Sequence, residues 1–368
     1  MMSNGSTHPT AREVRSRAPA TCRRPTPYFN ATGFLLTAVC YGGLLLASVA
    51  LPWWPVRLLA AVLNGWLIFL LLCFGHDAAH GNLTPCAWLN NLIGRLAFLP
   101  SLTPFSVWQD THNRQHHRYT NLRGYDPAYC PFSKEEYDRL PPYRRVLERW
   151  YKTAPGLALY YVIEIWWKLG FFYSGRGRRP RRKVIYSLDR LSVLGFVVAQ
   201  AVAVWNLQVL VLPPEAEAPA PKWPGLLIGL GIPWLAFTWF IGFLSFLHHT
   251  HPWVRWYASR SEWNFYRGQV QGAVHVVFPW PWECLLHPIM EHTAHHADCL
   301  IATARLKEFQ RRLEEAYADI VVERFTPAYL RWVLATCQLY DYQNYRWLDF
   351  AGNPTSPRRA DNSGREGG

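Results

Sequence analysis

Four long stretches of the chain contain no acidic or basic side chain other than histidine: residues 25–56, 58–76, 191–214 and 223–254. A soluble domain would have to bury four apolar helices in one modest core, whereas each run holds roughly 18 or more mostly apolar residues, enough to cross a bilayer as a helix. The eight cysteines form no C-x-x-C pair and follow no regular spacing, which argues against a disulfide frame and for reduced thiols. No internal repeat is present, and no flavin, nicotinamide or haem motif. The net charge of +13 is accompanied by no nucleic-acid recognition motif, which sets nucleic acid aside as a partner. The basic start, "AREVRSRAPATCRRP", is long and is not followed by a clean cleavage site, so it is not a signal peptide.

Basic residues are unevenly spread between the apolar runs. "PWWPVR" carries one Arg and "PPEAEAPAPKWP" one Lys, whereas residues 77–190 carry eighteen Lys and Arg. The positive-inside rule then puts both termini and the long middle segment on the cytoplasmic side. The fold class expected is all-α: a polytopic membrane protein of four transmembrane helices in two hairpins, with a cytoplasmic helical cap. Spans are expected at about 33–52, 57–76, 191–212 and 225–247, within a membrane domain covering 28–352. Residues 1–27 read as a mobile basic tail and 353–368 as a disordered end. "GLALYYVIEIWWKLGFF", with Glu164 and Lys168 four apart, reads as an amphipathic helix lying on the surface, with Trp166 and Trp167 at head-group level. In a bacterium this would be an inner-membrane protein, its basic surface drawn to anionic lipid.

Thirteen of the fourteen histidines fall between residues 76 and 296. "GHDAAHG" places His76 and His80 four apart at the end of the second run. "THNRQHHRYTN" places His112, His116 and His117 in an H-x-x-x-H-H pattern. "FLHHTHP" holds His248, His249 and His251 at the end of the fourth run, and "EHTAHHAD" holds His292, His295 and His296. Imidazoles three or four residues apart share one helix face. The derived topology brings all four groups to one membrane face. Eight or nine imidazoles exceed one tetrahedral zinc and fit two metal ions. Imidazole suits Zn, Cu, Fe and Ni alike, so the ligands do not choose the metal.

The order H-D-x-x-H, H-N-x-x-H-H with a following T-N, "HTHP" after a span, then H-x-x-H-H resembles the integral-membrane fatty acid desaturases, most closely the acyl-lipid branch that includes the Δ12/ω6-type enzymes. The resemblance runs from about residue 33 to 350 and includes "YVIEIWWK" and "LYDYQNYRWLDF". It implies a di-iron centre at the cytoplasmic face, with His76, His80, His112, His116, His117, His292, His295 and His296 as ligands. One further ligand is expected near the end of the fourth span, His249 or alternatively His251. In related enzymes an Asn four residues before that ligand helps hold the metal through water; Ser245 stands there in this chain. Asp77, Asn113, Asn121, Glu291 and Asp298 are candidates to orient the ligands, since metal-bound imidazoles usually donate their second N–H. His248, His275 and His287 default to structural roles.

The implied reaction is O2-dependent desaturation of a fatty acyl chain. An alkyl chain has no polarised bond, so the hard chemistry belongs to the metal centre and O2. The acyl group could be carried on a lipid, CoA or a carrier protein. With no cytochrome b5-like domain evident, a separate electron donor such as a ferredoxin or a cytochrome b5-like protein is implied. Within the superfamily the alternative is a carotenoid or lipid hydroxylase or ketolase. A membrane metal transporter is the alternative from another class, but it would place ligands along a span rather than at one face.

Overall fold

The computed structural model describes residues 8–24, 26–173, 183–211 and 223–358. The basic run before Lys183, most of the segment between the last two apolar runs, and the last ten residues of the expected disordered end lie outside them. The principal helices are α1 Ala11–Ser16, α2 Pro27–Ala50, α3 Trp54–His80, α4 Ala87–Phe98, α5 Phe105–Thr111, α6 Lys183–Val211, α7 Ile232–His249, α8 His292–Ala297 and α9 Leu306–Ala316. Among the described residues, four short strands accompany them: β1 Val274–Val277, β2 Val321–Arg324, β3 Leu339–Asp341 and β4 Arg346–Leu348. The protein is thus mostly helical rather than purely so. Among the described residues, four helical segments are long and apolar enough to cross a membrane: Asn30–Ala50, Trp54–His80, Lys183–Gln208 and Trp223–His249. The chain divides into two compact units, the first of residues 25–112 and 158–243, the second of 1–24, 113–157 and 244–368.

In the first unit, α2 packs along α3 after a connection of only three residues. The α3 backbone comes close to α7 at Gly65, where a Cβ would stand 2.5 Å from the Pro233 carbonyl and 2.6 Å from the Ala236 Cβ. Gly81, at φ 78°, ends α3 in the left-handed conformation directly after His80. Neither α5 nor its Pro104 supplies a side-chain N-cap. Asp189 of α6 does so from a distance, accepting from the Ser106 N–H at 2.7 Å and from Arg95 Nε at 2.8 Å. That fixes the start of the helix whose end carries His112. A π turn, His112–His116, follows α5, and a second π segment, Tyr161–Phe171, bears the Lys168–Glu164 ion pair. Trp167 in that segment is exposed and Trp166 half-buried, donating to the Leu102 carbonyl at 2.8 Å.

In the second unit, β1 pairs parallel with β2 (Val274 opposite Val321) and β3 antiparallel with β4 (Leu339 opposite Leu348). Two expectations are corrected here. Residues 10–24 are not a mobile tail: Val14 and Cys22 are fully buried among Ala294, Ala297, Phe309 and Leu313 of α8 and α9. Residues 353–356 are not disordered either. Trp347 N–H donates to Ser356 Oγ at 2.8 Å, and the Thr355 hydroxyl to the Thr336 carbonyl at 2.6 Å. Polar composition suggested disorder in both places, but local backbone pairing and buried apolar side chains decide otherwise.

Candidate metal centre

In the first unit the last turn of α3 presents His76 and His80, and the end of α5 presents His112. His112 Nε2 lies 3.0 Å and His80 Nε2 3.3 Å from His76 Nε2. Trp108, one turn before His112, stacks on its ring at 4.1 Å between centroids, and Gln109 ties α5 to the Ala79 carbonyl at 2.9 Å. Asp77 Oδ1 lies 3.3 Å from His76 Nδ1.

In the second unit the histidines fall into a pair and a larger group. His117 and His295 face each other, Nε2 to Nε2, at 3.0 Å. His116, His249 and His296 bring ring nitrogens within 4.8 Å of one another, and His292 Nε2 lies 2.9 Å from His249 Nε2. The adjacent residues His116, which ends the π turn, and His117, which follows it, therefore serve different groups; π turns are frequent at functional sites. Asp126 Oδ1 accepts from His116 Nδ1 at 3.0 Å. Gln269 Oε1 accepts from His296 Nδ1 at 3.0 Å while its amide donates to the His117 carbonyl at 2.7 Å. With Nδ1 engaged, His296 keeps its Nε2 buried and without a hydrogen-bond partner among the described residues.

The donor set fits a metal. Imidazole nitrogens facing each other at about 3 Å cannot all donate to one another, and those of His116, His249 and His296 gather within 4.8 Å, close enough to share a cation with M–N bonds of ~2.0–2.1 Å. Burial, reinforced by the neighbouring histidines, holds the pKa of His292 and of His296 well below the usual value, so both are neutral, the form that binds metal.

Other sequence candidates sit elsewhere. His251 offers Nε2 to Glu323 at 3.2 Å and accepts from the Trp253 N–H on Nδ1 at 3.1 Å, so both its nitrogens are engaged away from the histidine group. Ser245 meets the Tyr129 hydroxyl at 2.8 Å. Glu291 pairs with His275 at 2.9 Å and Asp298 with Arg23 at 2.6 Å, rather than with a ring nitrogen of the three box histidines. Asn113 is half-buried in the π turn. Asn121, at φ 59°, donates to the Arg255 and Gly272 carbonyls. His248 stacks on His292 at 4.2 Å, and His287 accepts the Ile289 N–H. Sequence reasoning missed Asp126, Gln269 and Trp108. Trp108 alone had a signal, lying four residues before His112 on the same helix face.

Comparison with known proteins agrees with this geometry. The family model described as fatty acid desaturase matches residues 52–328. The sn-1 oleoyl-lipid 12-desaturase of Picosynechococcus sp. is 28% identical over 314 residues, covering 83% of this chain and 82% of that protein. Its namesake in Synechocystis sp. is 26% identical over 314 residues, 80% and 79% of the two chains. The chloroplastic omega-6 fatty acid desaturase of Spinacia oleracea is 26% identical over 322 residues, 85% of this chain and 66% of that one.

Proposed function

We propose that this chain, which belongs to the fatty acid desaturase family, is an integral membrane oxidoreductase that introduces a cis double bond into acyl groups of membrane lipids, at the 12 position of an oleoyl chain. The relatives named as oleoyl-lipid 12-desaturases and omega-6 desaturases support the position and the lipid carrier. The observation that carries the chemistry is the set of buried and half-buried histidines with facing ring nitrogens. We assign His76, His80, His112, His116, His117, His249, His292, His295 and His296 as ligands of two iron ions, with His249 in place of His251 because both nitrogens of His251 are engaged elsewhere.

Such a pair of irons, supplied with two electrons by a separate donor protein, would supply the O2 chemistry of a desaturation, in which two hydrogens of adjacent carbons, two electrons and two protons reduce O2 to two waters. The chain's residues hold the ligands for it. Asp126 and Gln269 each accept a ring N–H and so fix the tautomer that turns Nε2 of His116 and of His296 inward. The apolar spans suit an acyl chain that enters from the bilayer. Two hairpins bearing a cytoplasmic cap, with both termini and the metal site on the cytoplasmic side, are the topology that the basic residues favour.

The test is mass spectrometry of derivatised lipids from cells making the wild type or His292→Ala, with a ferredoxin supplied. A new double bond at position 12 of oleoyl lipids, in the wild type alone, is the expected result. A hydroxylated or ketonic product would assign the chain to another activity of the superfamily.

A further inference from the structure

The three histidines of the last box stand on a helix of six residues, too short to hold its own conformation. Gln310 accepts the Ala294 N–H at 2.8 Å, and a further part of what secures the helix comes from the other end of the chain. Thr10 caps α1 with a reciprocal hydrogen-bond pair to Glu13. Val14 of α1, Ala18 in the turn after it and Cys22 of the 3-10 helix Ala20–Arg23 are then buried in one apolar cluster with Ala294 and Ala297 of α8. Arg15 Nε donates at 3.2 Å to the carbonyl of Ala297, the last residue of α8, satisfying one of the acceptors a helix C-terminus leaves open. Arg23 gives Nε at 2.9 Å and a terminal nitrogen at 2.6 Å to the buried carboxylate of Asp298, two residues beyond His296. Ala302 N–H donates to the Cys22 carbonyl at 2.7 Å, so contacts bracket α8 and the turn after it. All of residues 10–24 lie outside the 52–328 that the family model matches.

We propose that residues 10–24 form a clasp that holds the last histidine box in register, with Arg23 and Arg15 as its positioning residues. The clasp itself is geometric; its bearing on metal retention rests on the metal-centre reading above. Losing Arg23 strands the Asp298 carboxylate in a buried site, and α8 would then open more often to water.

The experiment uses the full chain, purified from membranes with its iron. It compares Arg23→Gln, Arg23→Lys, Asp298→Asn and a control, Arg311→Gln, whose exposed side chain pairs with the exposed Glu315. Deuterium exchange is followed in peptides covering 292–302, 76–82 and 339–348, alongside iron per chain. Arg23→Gln should exchange about tenfold faster across 292–302 and lose iron, with 339–348 unchanged and any change at 76–82 following only from the lost iron. Arg23→Lys, which keeps the charge, should recover part of the protection. Asp298→Asn reports on the same contact should Arg23→Gln fail to accumulate. Unchanged exchange at 292–302 in both Arg23→Gln and Asp298→Asn, or faster exchange spread equally over 339–348, would overturn the proposal. Faster exchange at 292–302 in a protein that never held metal would support the clasp and overturn the metal-centre reading instead.

Discussion

His296 has one ring nitrogen held by Gln269 and the other buried without a hydrogen bond, and that asymmetry makes Gln269 a decisive side chain. Gln269→Leu removes the acceptor from His296 and the donor to the His117 carbonyl in one step. Lost outer contacts of this kind typically cost 10–100-fold in metal affinity, and a drop of about that size is expected in a chelator competition against Fe(II). Gln269→Glu, which keeps an acceptor for His296 Nδ1, should lose less. His275 governs a second effect. Burial alone would lower its pKa, but hydrogen bonds to Glu291 and Glu314 outweigh burial and raise it from 6.5 to about 9. Because the folded value is the higher one, the associated stability is fully present below pH 6.5 and is lost as pH rises through 9. Thermal melts in detergent should therefore decline over that window, by at most about 3 kcal/mol. Glu314→Gln should flatten the decline, and an equal decline in that variant would remove His275 as its cause.

Helices that carry the membrane candidates could be read from the sequence because each is marked by an absence of charge, a signal that survives without any alignment. Their ends were less legible. The third begins at Lys183 rather than near 191, because backbone hydrogen bonding carries the helix beyond its apolar run. The histidine boxes were legible for a similar reason, since spacing of three or four marks one helix face. Asp126 and Gln269 carried no such mark: Asp126 lies in a loop ten residues after His116, and Gln269 stands in a π turn, Tyr266–Val270, that holds no box histidine. Residues 10–24 did carry one: Thr10 and Glu13 have capping-box spacing, and Val14, Ala18 and Cys22 form an apolar stripe, yet the surrounding arginines read as a tail. At this scale the close approach at Gly65 gives a further prediction. Gly65→Val would drive new methyl groups into the α7 backbone at Pro233 and Phe237, and an overpacked core of this kind costs about 1–3 kcal/mol. A melting temperature equal to wild type would show that α3 and α7 can part there at no cost.

Across the molecule, apolar exposure and charge divide the chain consistently. Leu188, Leu191, Leu194, Val198 and Val202 all stand exposed along α6, a stripe of a length that monomeric soluble proteins rarely show and that lipid would cover. Eighteen basic residues between 77 and 190, against one in each of the connections after the first and third apolar runs, are the ground on which the long segment is proposed to be cytoplasmic. The native cysteines can test this. Cys86 and Cys284 are exposed and lie in segments assigned to the cytoplasm, whereas Cys40, also exposed, lies within α2, where lipid would shield it from a charged reagent. A membrane-impermeant maleimide should label Cys86 and Cys284 in inverted vesicles but not in intact cells, and a Cys86→Ser/Cys284→Ser variant should lose most of that signal. Labelling of either residue from outside intact cells would reverse the assignment. It would also place the histidine groups on the face opposite a cytoplasmic electron donor, so one experiment constrains both the topology and the source of reducing power.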